Sequence, residues 1–350
     1  MRCAGSSGSA NSTHSRAKPG DTSALVVTAC DARPATVWPV RLGVLDVGSN
    51  TVHLQVVDAH RGAHPTPTSS TKSTLRLIEY IDATGQLTCD GAEQLVIAVT
   101  RAAAVAETSG CDELMAFATS AVREAANCAE VLEAVQAETG VALQVLSGVD
   151  EARLTFLAVR RWCGWSAGRI LGLDIGGGSL ELTLGIDEIP EVALSLPLGA
   201  GRLTMDRLAE DPPTRAGIAR LREWLDGELG APAKLIAAHG SPDRAVATSK
   251  TFRSLARLTG AAPSTAGPRT RRVLTAEGLH QLIPLISRMS GPDLAEIDGV
   301  SRSRSYQLVA GALVAEATMR ALKVTELEIC PWALREGMVL RRLDRAEAIQ

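Results

Sequence analysis

Lysine is nearly absent from this 350-residue sequence, appearing only at positions 18, 72, 234, 250 and 323, so arginine carries almost all of the basic charge. Such a bias reads first as the base composition of the genome. Neither sign of charge dominates: 36 Lys and Arg face 39 Asp and Glu, a formal net charge of −3. There is no bulk electrostatic case for a nucleic-acid or membrane-surface partner. No apolar run approaches the ~20 residues of a membrane span. Cysteines stand at positions 3, 30, 89, 111, 128, 163 and 330, an odd number with no Cys-x-x-Cys or Cys/His cluster. That pattern argues against zinc and for reduced thiols in a cytoplasmic protein. Aromatics amount to 3% of residues, and the five tryptophans read as core or interface rather than as a nucleobase platform.

What is present is a globular composition, 45% hydrophobic, in a chain long enough for two domains with separate cores. Its start, "MRCAGSSGSANSTHSRAKPGDTS", is rich in Ser, Gly and Ala and has almost nothing to bury. Residues 1–40 are therefore expected to form a disordered leader. The apolar stretch Ala24–Cys30 is too short and too late for a signal-peptide core. After Met1 the next methionine is Met115, and foldable sequence begins abruptly at "VRLGVLD" (40–46). That suggests natural initiation at a valine-type codon near Val40.

An internal repeat organises the rest. Placing "LGVLDVGSNTVHLQVV" (42–57) on "ILGLDIGGGSLELTLG" (170–185) sets Asp46 on Asp174, Gly48 on Gly176 and Thr51 on Ser179. Beyond each turn the apolar residues alternate: Val52, Leu54 and Val56 match Leu180, Leu182 and Leu184. Both segments read as strand, tight turn, strand, the pattern of half-buried hairpins. They point to two related domains facing each other. Two unrelated hairpins sharing an Asp-x-Gly turn remain the alternative.

Successive glycines bring backbone close to a ligand with no Cβ in the way, and their N–H groups can converge on an anion. Gly176, Gly177, Gly178 and Ser179, with Ser49 and Asn50 opposite, thus suit phosphate. Asp46 and Asp174, each ending a strand, suit a hard cation such as Mg²⁺ (or Mn²⁺), which takes oxygen ligands and bridges phosphates. Glu181 projects opposite Leu180 and Leu182 and can face the same cleft.

Between the loops, Leu114–Ala118 reads as a strand. Thr119 or Ser120 then caps a short helix carrying Arg123. Asn127 with Glu130 predicts a capping box for a helix ending at Gly140. Val141, Leu143 and Val145 alternate as a strand, and Ser147 with Asp150 starts a helix with Glu151 in its first turn. That location is the strand edge where open α/β sheets bind ligands. On position alone, Arg123 reads as a solvated helix residue and Glu151 as a complement to the helix dipole.

Five segments together change that balance: "DVGSN" (46–50), "ATSAVREAAN" (118–127), "SGVDEAR" (147–153), "DIGGGSLEL" (174–182) and "LREG" (334–337). In this order they resemble the exopolyphosphatase/guanosine pentaphosphate phosphatase family. "ATSKTFRSLARLTGAAPS" (247–264) and "EICPWALREG" (328–337) are similar to its short mycobacterial and actinobacterial members. The resemblance implies an α/β fold of two ribonuclease H-like domains of the actin-like ATPase superfamily, with a cleft between them. It implies removal of terminal phosphate from inorganic polyphosphate with Mg²⁺ or Mn²⁺, and a homodimer. By motif, Glu151 matches the general base, Arg123 a phosphate-binding arginine, and Asp174 and Glu181 the metal-binding acids. Gly176 to Ser179 and Ser49 to Asn50 match the phosphate loops. At the helix N-terminus Glu151 is expected to stay ionised.

Two departures stand out. Where the family has glycine before a later helix, "TSKT" (248–251) carries Lys250, a cation expected to meet a second or third phosphate. The chain also stops soon after "LREG", without the extra helical domains of longer members, which makes short chains the expected substrate. The expected division is 41–155 as the first domain, with 333–350 packing back on it, and 156–332 as the second. Leu198–Arg202 reads equally as a phosphate contact or a helix start. Arg269, Arg271, Arg272, Arg302 and Arg304 form two local basic clusters that could guide polyphosphate but read first as solvated faces, and His53 reads as structural. The alternatives to an exopolyphosphatase are a guanosine pentaphosphate (pppGpp) phosphatase, an actin-like ATP-binding protein or kinase, and a non-catalytic nucleotide sensor.

Overall fold

The computed structural model describes residues 40–60 and 64–347. The expected leader lies outside these residues except for Val40, which opens the first strand. In the first half, β1 (Val40–Val47), β2 (Thr51–Ala59) and β3 (Ser69–Thr74) precede α1 (Cys89–Thr108), β4 (Glu113–Ala118), α2 (Ser120–Arg123), α3 (Cys128–Thr139) and β5 (Gln144–Val145). Helix α4 (Gly148–Cys163) leads into the second half, with β6 (Ile170–Ile175), β7 (Leu180–Gly185), β8 (Val192–Leu196), α5 (Ala200–Arg207), α6 (Arg215–Ala238), β9 (Arg244–Thr248) and α7 (Ser249–Leu258). There follow β10 (Val273–Thr275), α8 (Ala276–Ile286), α9 (Gly291–Ala295), α10 (Leu308–Ala321), β11 (Glu326–Ile329) and α11 (Leu334–Glu347).

The sheets run β3-β2-β1-β4-β5 and β10-β11-β9-β6-β7-β8. In each, an antiparallel three-strand meander is flanked on its first strand by a parallel neighbour, β4 on β1 and β9 on β6. The repeat extends to single residues. Asp46 pairs with His53 across β1 and β2, and Asp174 pairs with Glu181 across β6 and β7. Each turn is closed by the same bond, Gly48 N–H to Thr51 O and Gly176 N–H to Ser179 O. This is the ribonuclease H-like arrangement, present twice.

Strand alternation decides what lies between the sheets. Leu45 and Val47 of β1, with Val52, Leu54 and Val56 of β2, enter a core shared with α1 and α3. Leu171, Leu173 and Ile175 of β6, with Leu180, Leu182 and Leu184 of β7, enter a core shared with α6 and α10. The opposite faces hold Leu42 and Val44 on one sheet and Ile170 on the other. Two helices cover them: Leu154 of α4 with Leu334, Met338, Val339 and Leu343 of α11 on the first sheet, and Phe156 and Val159 of α4 on the second. Asp46 and Asp174 continue these helix-covered rows. The boundary expected between residues 155 and 156 falls inside α4, which serves both sheets.

Two local expectations are corrected. Asn127 precedes α3, but its side chain does not cap it. It accepts from Leu87 N–H and donates to Leu87 O, both at 2.9 Å, because the loop before α1 offers a paired donor and acceptor. The strand expected over 141–145 shrinks to Gln144–Val145, since β4 offers partners only at Phe117 and Ala118. Val141 and Leu143 are buried in the α1/α3 core instead. Among the described residues no helix is long and apolar enough to cross a membrane.

Gly337 lets α11 press on α4: a Cβ there would overlap the Leu154 carbonyl. Gly337→Ala should therefore destabilise the protein by about 1–3 kcal/mol. Gly227→Ala, in α6 with open space around it, should stabilise it by roughly 0.5–1 kcal/mol. Denaturant unfolding of both variants checks the contrast.

Candidate active site

The glycine loop between β6 and β7 is held from behind by the start of α5. Ala200 N–H bonds Gly176 O at 3.0 Å and Arg202 N–H bonds Gly177 O at 2.9 Å. The Arg202 Nε–H reaches Gly178 O at 2.9 Å. Within a planar trans peptide, carbonyl and N–H point oppositely. Tying these three carbonyls to α5 turns the N–H groups of Gly177, Gly178 and Ser179 the other way, toward the first half. Leu198–Arg202 thus serves the glycine loop itself, and its N–H groups at 200 and 202 are spent on it.

Side chains would be excluded from both sides. A Cβ on Gly177 would run into Asn50 and Ser49, and one on Gly178 into Ser120 and Ser49. A Cβ on Gly199 would overlap the Gly178–Ser179 backbone. Ser49 and Ser120 share a 2.8 Å hydroxyl bond. Gly177 and Gly178 let the two loops from different sheets touch, and Gly199 lets α5 lie against the glycine loop.

Arg123 ends α2, where its Nη1 donates to Leu146 O at 2.9 Å and to Glu151 Oε2 at 3.1 Å. Its Nη2 meets Glu124, which in turn pairs with Arg202. The chain Arg123–Glu124–Arg202–Gly178 ties the guanidinium to the glycine loop. Glu151 lies in the first turn of α4, begun by Ser147 accepting from Asp150 N–H at 3.1 Å. Gly148 lets this turn lie against Ser195 of β8, and Ser195 donates to Glu181 Oε1 at 2.9 Å.

The acids crowd one another. Burial, with Asp46 and Asp174 nearby, pushes Glu151 up to about 7, and Arg123 only partly opposes this. Desolvation thus opposes the helix N-terminus, which favours the ionised form expected for Glu151. Burial likewise raises Asp174 to about 6, and raises Glu181 well above the ordinary carboxylate range with help from Glu151 and Asp174. Arg335 Nη1 meets Asp46 Oδ2 at 3.0 Å. Among the described residues, no group of three or more His, Cys, Asp or Glu side chains could by itself hold a metal ion. Asp174 and Glu181 nevertheless fit a hard cation. They are paired carboxylates on adjacent strands, and no protein cation bonds directly to either among the described residues. Mg²⁺ typically takes one or two carboxylates and completes its shell with water and phosphate oxygens.

Cations surround the acids. Arg253, Arg304 and Arg335 all act on Asp174, and the same three with Lys72 bear on His53. Burial and these charges push His53 down to about 2, leaving it neutral, with its Nε2 at 2.7 Å from Ser70 Oγ. Lys250 and Arg253 keep solvent contact. Burial of their charged ends still lowers both pKa values first, and neighbouring arginines lower them further. Ser249, not Lys250, takes the backbone conformation that favours glycine, with φ 86°. Arg304 corrects the expectation of a solvated face. Arg302 pairs with Glu296, Arg271 pairs with Glu326, Arg269 stacks on Trp162 and Arg272 binds loop carbonyls. Arg304 alone of the five turns toward Asp174. Lys72 and Ser195 lay outside any motif read in the sequence, Arg253 lay inside "ATSKTFRSLARLTGAAPS" without a role, and Arg202 was read only as the end of a phosphate contact or a helix start. Arg335 lay inside "LREG" without a role.

Residues 56–346 match the Ppx/GppA phosphatase family. The chain belongs to that family. It is 67% identical over 305 residues to Exopolyphosphatase 1 of Mycobacterium tuberculosis, covering 87% of this chain and 89% of that one. An Aquifex aeolicus Ppx/GppA family crystal structure, 25% identical, superposes with a TM-score of 0.71 over 87% of this chain and 98% of that one. A Cytophaga hutchinsonii exopolyphosphatase structure, 22% identical, shares the fold with a TM-score of 0.79 over the same shares, 87% and 98%. In this Ppx/GppA chain, the duplicated hairpins supply both loops and the paired Asp174 and Glu181.

The raised acids have a thermodynamic signature. Below about pH 4.5 a carboxyl is protonated in both folded and unfolded chains. As pH rises, the unfolded chain ionises first and stability is lost until the folded-state pKa is passed. Without metal, Glu181→Gln should therefore gain stability relative to wild type progressively above about pH 4.5, levelling off only above the raised folded-state value. Unfolding curves of both proteins in chelator, from pH 4 to 8, provide the measurement.

Proposed function

We propose that the chain is an exopolyphosphatase, releasing terminal phosphate from inorganic polyphosphate by attack of water, with Mg²⁺ or Mn²⁺ as cofactor. The observation that carries this reading is the glycine loop whose three carbonyls are tied to α5, which turns the N–H groups of Gly177, Gly178 and Ser179 away from it, with Arg123 joined to the loop through Glu124 and Arg202 and bonded to Glu151. The rim of Lys72, Lys250, Arg253, Arg304 and Arg335 suits a substrate with many negative charges. Relatives identical at about two thirds of 305 aligned residues are named exopolyphosphatases.

Phosphoryl transfer to water has a loose transition state with charge spread over the transferred oxygens, so positioned donors do most of the work. The three N–H groups and Arg123 provide them without reorganisation, since α5 and Glu124 hold them in place. Glu151 orients the water and accepts its proton; a base with a pKa near the working pH is effective in that role. The rim cations take the leaving phosphate chain. A divalent cation held by Asp174 and Glu181 would neutralise phosphate charge and permit these acids to ionise together.

Phosphate release from short polyphosphate, long polyphosphate, pppGpp and ATP, each with Mg²⁺ and with chelator, tests the reading. Release from polyphosphate that stops in chelator is expected. No release from any polyphosphate would overturn it, and a clear preference for pppGpp would move the substrate to the guanosine nucleotide. Glu151→Gln should lower kcat by on the order of 10²–10⁴ while still binding tripolyphosphate. Retention of half the wild-type kcat would remove Glu151 from the base role.

A further inference from the structure

Asn50 is held from two sides. Its backbone carbonyl accepts from Leu75 N–H at 3.0 Å and from Arg76 N–H at 3.1 Å. Its side-chain Oδ1 accepts from the Tyr306 hydroxyl at 2.8 Å, a contact between residues 256 positions apart. Tyr306 lies in the 3-10 segment Arg302–Gln307, in the second half of the chain. Arg76 has a left-handed backbone, φ 52°, and lays its guanidinium over the Tyr306 ring, 4.7 Å from its centre. Asn50 is 2% exposed. A primary amide carries its acceptor on one end and its donors on the other, so fixing the oxygen fixes the nitrogen. The nitrogen faces the glycine loop, at the place a Cβ of Gly177 would take.

We propose that Tyr306 is a positioning residue, whose hydroxyl holds the Asn50 carbonyl so that the Asn50 amide nitrogen donates to phosphate bound at the glycine loop. The proposal rests on the reading of this cleft as a phosphate site. Without the hydroxyl the amide is free to rotate and present its oxygen to an anion, which repels it. Burial pushes the Tyr306 phenol up to about 12, so it remains a donor across the working pH range. The aromatic ring and its Arg76 contact survive in Tyr306→Phe, which isolates the hydroxyl.

The test pairs two readouts on intact protein: kcat/KM for short polyphosphate, and tripolyphosphate affinity by calorimetry. Tyr306→Phe is expected to lower both about tenfold, the effect of one lost hydrogen bond to a charged group. Asn50→Ala should cost about as much, and the double variant no more than Asn50→Ala alone, because Tyr306 acts through Asn50. Asn50→Asp keeps an acceptor for Tyr306 but puts an oxygen where the nitrogen stood, so it should bind tripolyphosphate more weakly than Asn50→Ala. Wild-type affinity in Tyr306→Phe, or losses that add fully in the double variant, would overturn the proposal. Absence of phosphate release by the wild type would instead defeat the hydrolase reading, and the calorimetric comparison would still decide the role of Tyr306.

Discussion

The planarity of the peptide bond is the constraint on which the site depends. Three consecutive carbonyls, those of Gly176, Gly177 and Gly178, are tied to the start of α5. Their partner N–H groups consequently point as one set toward the opposite half. A single flipped peptide would leave a buried carbonyl without a partner and put an oxygen where an anion should bind. Glycine suits the loop because neighbours pack close on both sides: the α5 entry through Gly199 behind, and the side chains of Ser49, Asn50 and Ser120 in front.

The electrostatics of the cleft suit a polyanion. Glu151, Asp174 and Glu181 destabilise one another when ionised. Arg253, Arg304 and Arg335 do the same with opposite sign. The two sets partly balance, since Arg253, Arg304 and Arg335 favour ionised Asp174 and Asp174 in turn favours charged Arg253 and Arg304. Each still keeps charge that a cation and a phosphate chain together would satisfy. Storing such repulsion costs stability, which the well-packed cores on the outer sheet faces offset.

The shared helices join the halves mechanically. Helix α4 packs Leu154 toward one sheet and Phe156 toward the other, and α11 closes over it through Gly337. Glu151 lies in the first turn of the same helix, so its carboxyl is mounted on the element both sheets use. Arg335 begins α11 and reaches Asp46. A change in how the sheets sit would move both charges together.

The sequence by itself determined the hairpin repeat, the facing of the glycine and serine loops, and the start of α4 at Ser147. Each rests on local rules of strand alternation, turn chemistry and capping, which act over a few residues. It gave the wrong purpose for Asn127, whose partner is a backbone 40 residues away. It also left Arg304 among solvated residues, because a run of arginines looks the same whether it faces water or a cleft. Only the tertiary structure brought Arg202, Arg253, Arg335 and Tyr306 to the cleft, and only burial there raises the Glu151 pKa. Those outcomes depend on desolvation and on charges brought together from distant segments, and neither quantity is written in the spacing of residues along a chain.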